Sequence, residues 1–149
     1  LRLTYVDDQI EGLAAAGKLA KELDMGDHVS LVRLNVLVRG MIRTRLRLVP
    51  QDLIFYQTMI QEISEDALLD LLDEAYALLA PGGRFLLGRL HLPKASTLFL
   101  EHVLELPLAS WETHELINLV QRSAFGDRFG WLSATNDSPF SFLELHRPY

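Results

Sequence analysis

Gln51-Asp52-Leu53-Ile54-Phe55-Tyr56, then an acid-edged helical stretch from Ser64, then Leu79-Ala80-Pro81-Gly82-Gly83-Arg84-Phe85-Leu86-Leu87, is the passage that decides the fold. The first run is short and apolar, the length of a strand rather than a helix. In the middle stretch Leu68, Leu69, Leu71, Leu72, Ala75, Tyr76 and Leu79 fall on one side, and Asp70, Asp73 and Glu74 on the other, which is the helical period. Ser64 offers an N-cap, and Glu65 and Asp66 suit the positive end of the helix. Pro81 cannot continue it, and Gly82 can take the positive φ of a type II turn. Strand, helix, tight turn and second apolar strand make one unit of a parallel sheet.

The bulk properties restrict what this unit belongs to. A chain of 149 residues with 49% hydrophobic and 23% charged residues suits one soluble domain, taken as 1–149, with a core of useful size. The net charge of −6 argues against general nucleic-acid affinity, which needs a basic face. With no cysteine there are no disulfides, thiolate metal sites or thiol nucleophiles, a usage that fits the cytoplasm. No run is long and apolar enough for a membrane-spanning helix. Leu1 enters a strand-like run directly, without Met or a lead-in, so a fragment is expected.

Working outward, Leu1 to Val6 alternates as a strand does, and Asp7-Asp8 stops it. Asp8 with Glu11 reads as a capping box that opens a helix through about Leu23, with Ile10, Leu13, Gly17 and Ala20 inward. His28 to Leu34 is the next strand, and Ile42 to Leu48 alternates as a short strand or extended loop. Leu53 to Tyr56 is expected in the middle of the sheet. A helix over 94–105, another from Ser110 or Trp111 through Ser123, and two strands, Arg128 to Ala134 and Phe140 to His146, complete the reading.

The wording of these elements adds to their pattern. An Asp-Leu-Ile strand, a helix, Leu-x-Pro-Gly-Gly and a second strand, closed by Phe125-Gly126 and a final strand pair, resemble the latter part of class I S-adenosylmethionine-dependent methyltransferases. The implied fold is an α/β Rossmann-like sandwich, mostly parallel, with an antiparallel C-terminal strand pair. Its first strand and Gly-rich turn are absent, since no Gly-x-Gly occurs. In that family the first strand is central, so an upstream domain or a homo-oligomer is expected to complete the sheet. A narrower similarity, through Asn35-Val36-Leu37, the arginine-rich stretch, Pro50-Gln51-Asp52-Leu53-Ile54 and Pro107-Leu108, is to bacterial methyltransferases that form fatty-acid methyl esters. These would methylate a carboxylate. Met59-Ile60-Gln61-Glu62 departs from the more polar, aromatic-rich loop of that group.

Ligands of such folds bind beyond the carboxyl ends of the strands, and three strand ends supply the candidates. The resemblance implies that the Asp7 carboxylate accepts the two ribose hydroxyls of S-adenosylmethionine, with Asp8 left to cap the helix; the alternative is that both only cap. Asn35 stands where many members carry an Asp for the adenine amino group, and its amide oxygen can also accept. Val36 would offer its backbone N–H, or Asn35 simply ends a strand. Tyr56 and Gln57, which open the loop that lies between cofactor and acceptor in that family, are the remaining cofactor-binding candidates, and Thr58, Gln61 and Glu62 in the loop are further polar candidates or a solvated surface. The Pro-Gly-Gly turn is assigned no ligand. The histidines show no metal-ligand spacing, and the arginines at 39, 43, 45 and 47 form a stripe able to meet an anion or to face solvent.

Three functions follow. The first is S-adenosylmethionine-dependent methyl transfer to a small-molecule acceptor by the intact protein; no catalytic residue is singled out, because in-line positioning carries most of that chemistry. The second is a non-catalytic member of the fold serving assembly or regulation. The third, a nicotinamide-binding domain, shares the acidic residue after a strand but not the closing strand pair.

Overall fold

The computed structural model describes residues 1–38, 40–42, 49–57, 63–90, 102–103, 111–133 and 140–149, with no side-chain account of 89–90, 131–133 and 140. The elements are β1 (Leu3–Asp7), α1 (Ile10–Glu22), a 3-10 turn (Gly26–His28), β2 (Val29–Arg33), β3 (Gln51–Tyr56), α2 (Glu65–Leu78), β4 (Leu79–Leu90), α3 (Thr113–Arg122), β5 (Phe129–Ser133) and β6 (Phe140–His146). The chain divides into two compact units, Leu1–Arg47 and Leu48–Tyr149.

In the first unit β1 and β2 pair in parallel, with Leu3 opposite Val29 and Asp7 opposite Arg33. The Leu34 N–H extends this ladder by donating to the Asp7 carbonyl at 2.9 Å. α1 turns Ala20 inward and lays Gly17 beside Leu31, where an added Cβ would stand 3.0 Å from Leu31 Cδ1. Leu13 and Gly17 are half-buried, whereas Ile10, expected inward, is exposed. Leu34 and Ile42 are buried in the same unit. Met41 and Ile42 have helical rather than extended backbone; the rest of the expected strand over 42–48, and Arg39, lie outside the described residues.

The second unit is a sheet of order β3-β4-β6-β5. β3 and β4 are parallel, and β6 is antiparallel to both β4 and β5. One face carries Phe85, Leu87, Leu143 and Leu145, all completely buried. Leu68 and Leu72 of α2 and Leu116 and Val120 of α3 are equally buried. Phe125 joins them, edge-on to Tyr76 at 5.1 Å and stacked on Phe85 at 6.1 Å. Among the described residues β3 pairs only with β4, and Leu53 and Phe55 are 56% and 52% exposed, as the absence of the first strand beside it would leave them.

Local chemistry sets the element ends. Ser64 caps α2 by accepting from the Ala67 N–H. α3 starts later than Ser110 or Trp111, because Glu112 and Glu115 close a reciprocal capping box. Beyond α2 the Arg147 guanidinium donates to the carbonyls of Leu79 and Tyr76 and lies over the Tyr76 ring, satisfying acceptors that a helix end leaves open. Glu74, expected on the solvent side of α2, is buried. The expected helix over 94–105 lies outside the described residues except for His102 and Val103.

The Pro-Gly-Gly turn is a bulge in the β3–β4 ladder. Gln51 pairs with Leu79 and Leu53 with Arg84, so Ala80 to Gly83 loop out opposite Asp52. Gly82 has φ 77°. A Cβ on Gly83 would lie 2.8 Å from the Ala80 carbonyl oxygen and 2.9 Å from that of Gln51, both backbone atoms. By contrast, a Cβ on Gly130 meets nothing within 4 Å. Gly83→Ala is therefore expected to destabilise by about 1–3 kcal/mol, the usual cost of overpacking, while Gly130→Ala is neutral or slightly stabilising. Urea denaturation checks this, and equal effects at the two positions would contradict it.

Candidate functional site

Asp7, Asn35 and Val36 lie at the carboxyl end of the β1–β2 ladder, and of these Asn35 lines the depression found there. Beyond the rung between the Asp7 carbonyl and the Leu34 N–H the two chains part, Asp8-Gln9 on one side and Asn35 on the other. They enclose an open depression of about 700 Å³ lined by Asp8, Gln9, Val32, Arg33, Leu34, Asn35 and Met41. The Arg33 Nε–H donates to the Asp8 carbonyl at 3.2 Å, fixing that wall.

Asp7 has a role that the sequence assigned to its neighbour. Its Oδ1 accepts the Gln9 N–H at 2.9 Å, and its Oδ2 accepts the Tyr5 hydroxyl at 2.9 Å. Gln9 is the N-cap residue of α1 and makes no side-chain cap, so the expected box of Asp8 with Glu11 does not form. The Asp8 carboxylate instead accepts from Gln9 Nε2 at 3.0 Å. The Gln9 N–H first, then the Tyr5 hydroxyl, hold the Asp7 carboxyl below its ordinary value, and the same bond pushes the Tyr5 hydroxyl up. The Asp8 N–H acts on the same carboxylate in the same direction, and with about four acceptor positions on an ionised carboxylate these bonds do not exhaust it.

Asn35 makes an equivalent local turn, its Oδ1 accepting the Leu37 N–H at 2.9 Å. That oxygen keeps a second lone pair. The half-buried Val36 N–H donates to nothing among the described residues. Asp8, Arg33 and Met41, all in the wall of the depression, were not singled out as ligands in the sequence. For Asp8 and Arg33 the signal was positional, since each lies at or next to a strand end; Met41, eight residues past β2, carried none.

Tyr56 and Gln57, in the second unit, end β3. Tyr56 is half-buried and Gln57 exposed. Gly88 on β4 lies beneath them, where a Cβ would come within 3.3 Å of the Tyr56 carbonyl oxygen and 3.4 Å of Gln57 Cα. Thr58, Gln61 and Glu62 lie outside the described residues. Among the described residues no group of histidine and carboxylate side chains could hold a metal ion, and no helix is long and apolar enough to cross a membrane.

No family model matches the chain, and neither does any curated protein. Solved structures do match. A possible exported protein from Bordetella parapertussis aligns with a TM-score of 0.74 at 16% identity, over 99% of this chain and 54% of its own. An O-methyltransferase family protein from Burkholderia thailandensis gives 0.73 at 18%, over 99% and 44%. The S-adenosylmethionine-dependent methyltransferase SibL, in its apo form, gives 0.72 at 20%, over 100% and 44%. The fold is that of class I methyltransferases. At these identities the likeness concerns the fold, and the chain spans about half the length of these structures.

The depressed Asp7 carboxyl has a consequence for stability. A group whose folded pKa is lowered stabilises above its unfolded value, here the ordinary aspartate value of 3.8, and loses that contribution as pH falls through the folded value. Asp7→Asn is therefore expected to be less stable than the parent at neutral pH, with the difference closing under acid. Urea midpoints of both proteins across that range check it; a gap that widens on acidification would contradict the assignment.

Proposed function

We propose that the chain supplies the adenosine-binding side of an S-adenosylmethionine-dependent methyltransferase whose intact form acts on a small-molecule acceptor in the cytoplasm. The observation that carries this reading is the end of the β1–β2 ladder. A carboxylate and an amide oxygen, each with an acceptor position to spare, and a backbone N–H all lie around one rung. Those groups suit a ribose diol, an adenine amino group and an adenine ring nitrogen in polarity. Asp7, Asn35 and Val36 would hold those parts of the cofactor.

The cofactor, when bound, supplies a methyl group already activated by a sulfonium. What remains for the protein is to place it in line with a nucleophile and exclude water, which positioning alone accelerates strongly. The Gly-rich turn that seats the amino-acid end in this family is not within residues 1–149. We place it in a segment outside them. The finer reading of the acceptor as a carboxylate, giving a methyl ester, is supported by the Asn35-Val36-Leu37 and Pro50-Gln51-Asp52-Leu53-Ile54 phrases.

Calorimetry with S-adenosylhomocysteine on the full-length protein and on residues 1–149 tests the proposal. The full-length protein is expected to bind and the shorter piece to bind weakly or not at all. Asp7→Ala in the full-length protein is expected to weaken binding by about 1–3 kcal/mol through the lost hydrogen bonds. Tight binding by 1–149 alone would contradict the role given to the outside segment. An unchanged affinity in Asp7→Ala would remove Asp7 from the site.

A further inference from the structure

Asp7 is held on three sides, and only one of these is needed to start a helix. The Gln9 N–H bond to Oδ1 closes the turn into α1. The other two restraints act on Oδ2. Tyr5 lies two residues earlier on β1, on the same strand face as Asp7, and its hydroxyl donates to Oδ2 at 2.9 Å. Gly12, in the first turn of α1, leaves the space that the carboxylate fills: a Cβ there would stand 3.0 Å from Asp7 Cγ and closer still to Oδ2.

Tyr5 is 36% exposed, and a phenylalanine would cover the same strand face without the bond to Asp7. A glycine inside a helix is unfavourable relative to alanine because of its backbone entropy, yet one stands where any side chain would displace Asp7. Both features serve the same end, a carboxylate with its torsions fixed and its charge maintained.

We propose that Tyr5 is a positioning residue for ligand recognition: its hydroxyl, together with the space at Gly12, holds the Asp7 carboxylate in one rotamer so that its remaining acceptor positions meet a vicinal diol. This rests on the ribose reading of Asp7. The lowered pKa of Asp7 agrees with it, since the same bonds keep the acceptor ionised. The gain is preorganisation. A side chain that is already immobilised loses little freedom when the ligand arrives.

The test is a double-mutant cycle in the full-length protein with Tyr5→Phe, Asp7→Asn and the pair. Two probes, adenosine and 2′,3′-dideoxyadenosine, are competed against S-adenosylhomocysteine. Tyr5→Phe keeps the ring and removes only the hydroxyl. It is expected to reduce the preference for adenosine by about two- to tenfold, the scale of ordering one side chain, with dideoxyadenosine binding unchanged. Asp7→Asn is expected to lose the preference, with Tyr5→Phe adding nothing on top. Gly12→Ala should reproduce the Tyr5→Phe result. If Asp7→Asn loses the preference while Tyr5→Phe keeps it, the positioning role is overturned and the ribose reading stands. Equal losses for both probes in Tyr5→Phe would show a merely structural tyrosine and overturn it too. If the parent shows no preference, or Asp7→Asn retains it, the ribose reading fails and the proposal with it.

Discussion

The hydrogen bond from the Leu34 N–H to the Asp7 carbonyl is the constraint on which the rest depends. It is the last rung of an in-register parallel ladder that begins at Leu3 and Val29. Parallel pairing brings two carboxyl ends to one level, where the chains must diverge because each continues into a different connection. The rung sets where they diverge, and so which residues face each other across the gap. A one-residue slip would turn Tyr5 and Asp7 to the opposite face from Leu31 and Arg33 and dissolve the arrangement.

Both walls of that gap are stiffened by the same device. Asp7 and Asn35 each bend the chain by accepting the N–H two residues ahead, at 2.9 Å in both cases. Short polar side chains do this readily because they reach their own backbone. The turn uses one acceptor position on each, and on Asp7 the Tyr5 hydroxyl uses another, so bending the chain does not exhaust either side chain as an acceptor.

Much of the architecture was legible in the sequence, where one short-range rule dominated. Ser64, the Pro-Gly-Gly turn, the inward faces of α2 and α3 and the two closing strands all follow from caps, positive φ or periodicity. The errors arose where two residues offer the same chemistry or where a distant partner decides. Asp7 and Asp8 are equal as caps by composition; Tyr5, on the strand face that Asp7 shares, is what distinguishes them. Glu74 was placed outward for its charge, although it follows Leu71 by three residues and so lies near the same helix face. The candidate site was legible as strand ends, but Asp8, Arg33 and Met41 required the register to be known.

Amide NMR of the full-length protein titrated with adenosine tests the central claim most directly. The account predicts shifts concentrated on the backbone amides of 7–9 and 34–37, on either side of the closing rung. Shifts that leave both segments untouched and gather elsewhere, for instance around the Arg84–Glu144 ion pair, would contradict it.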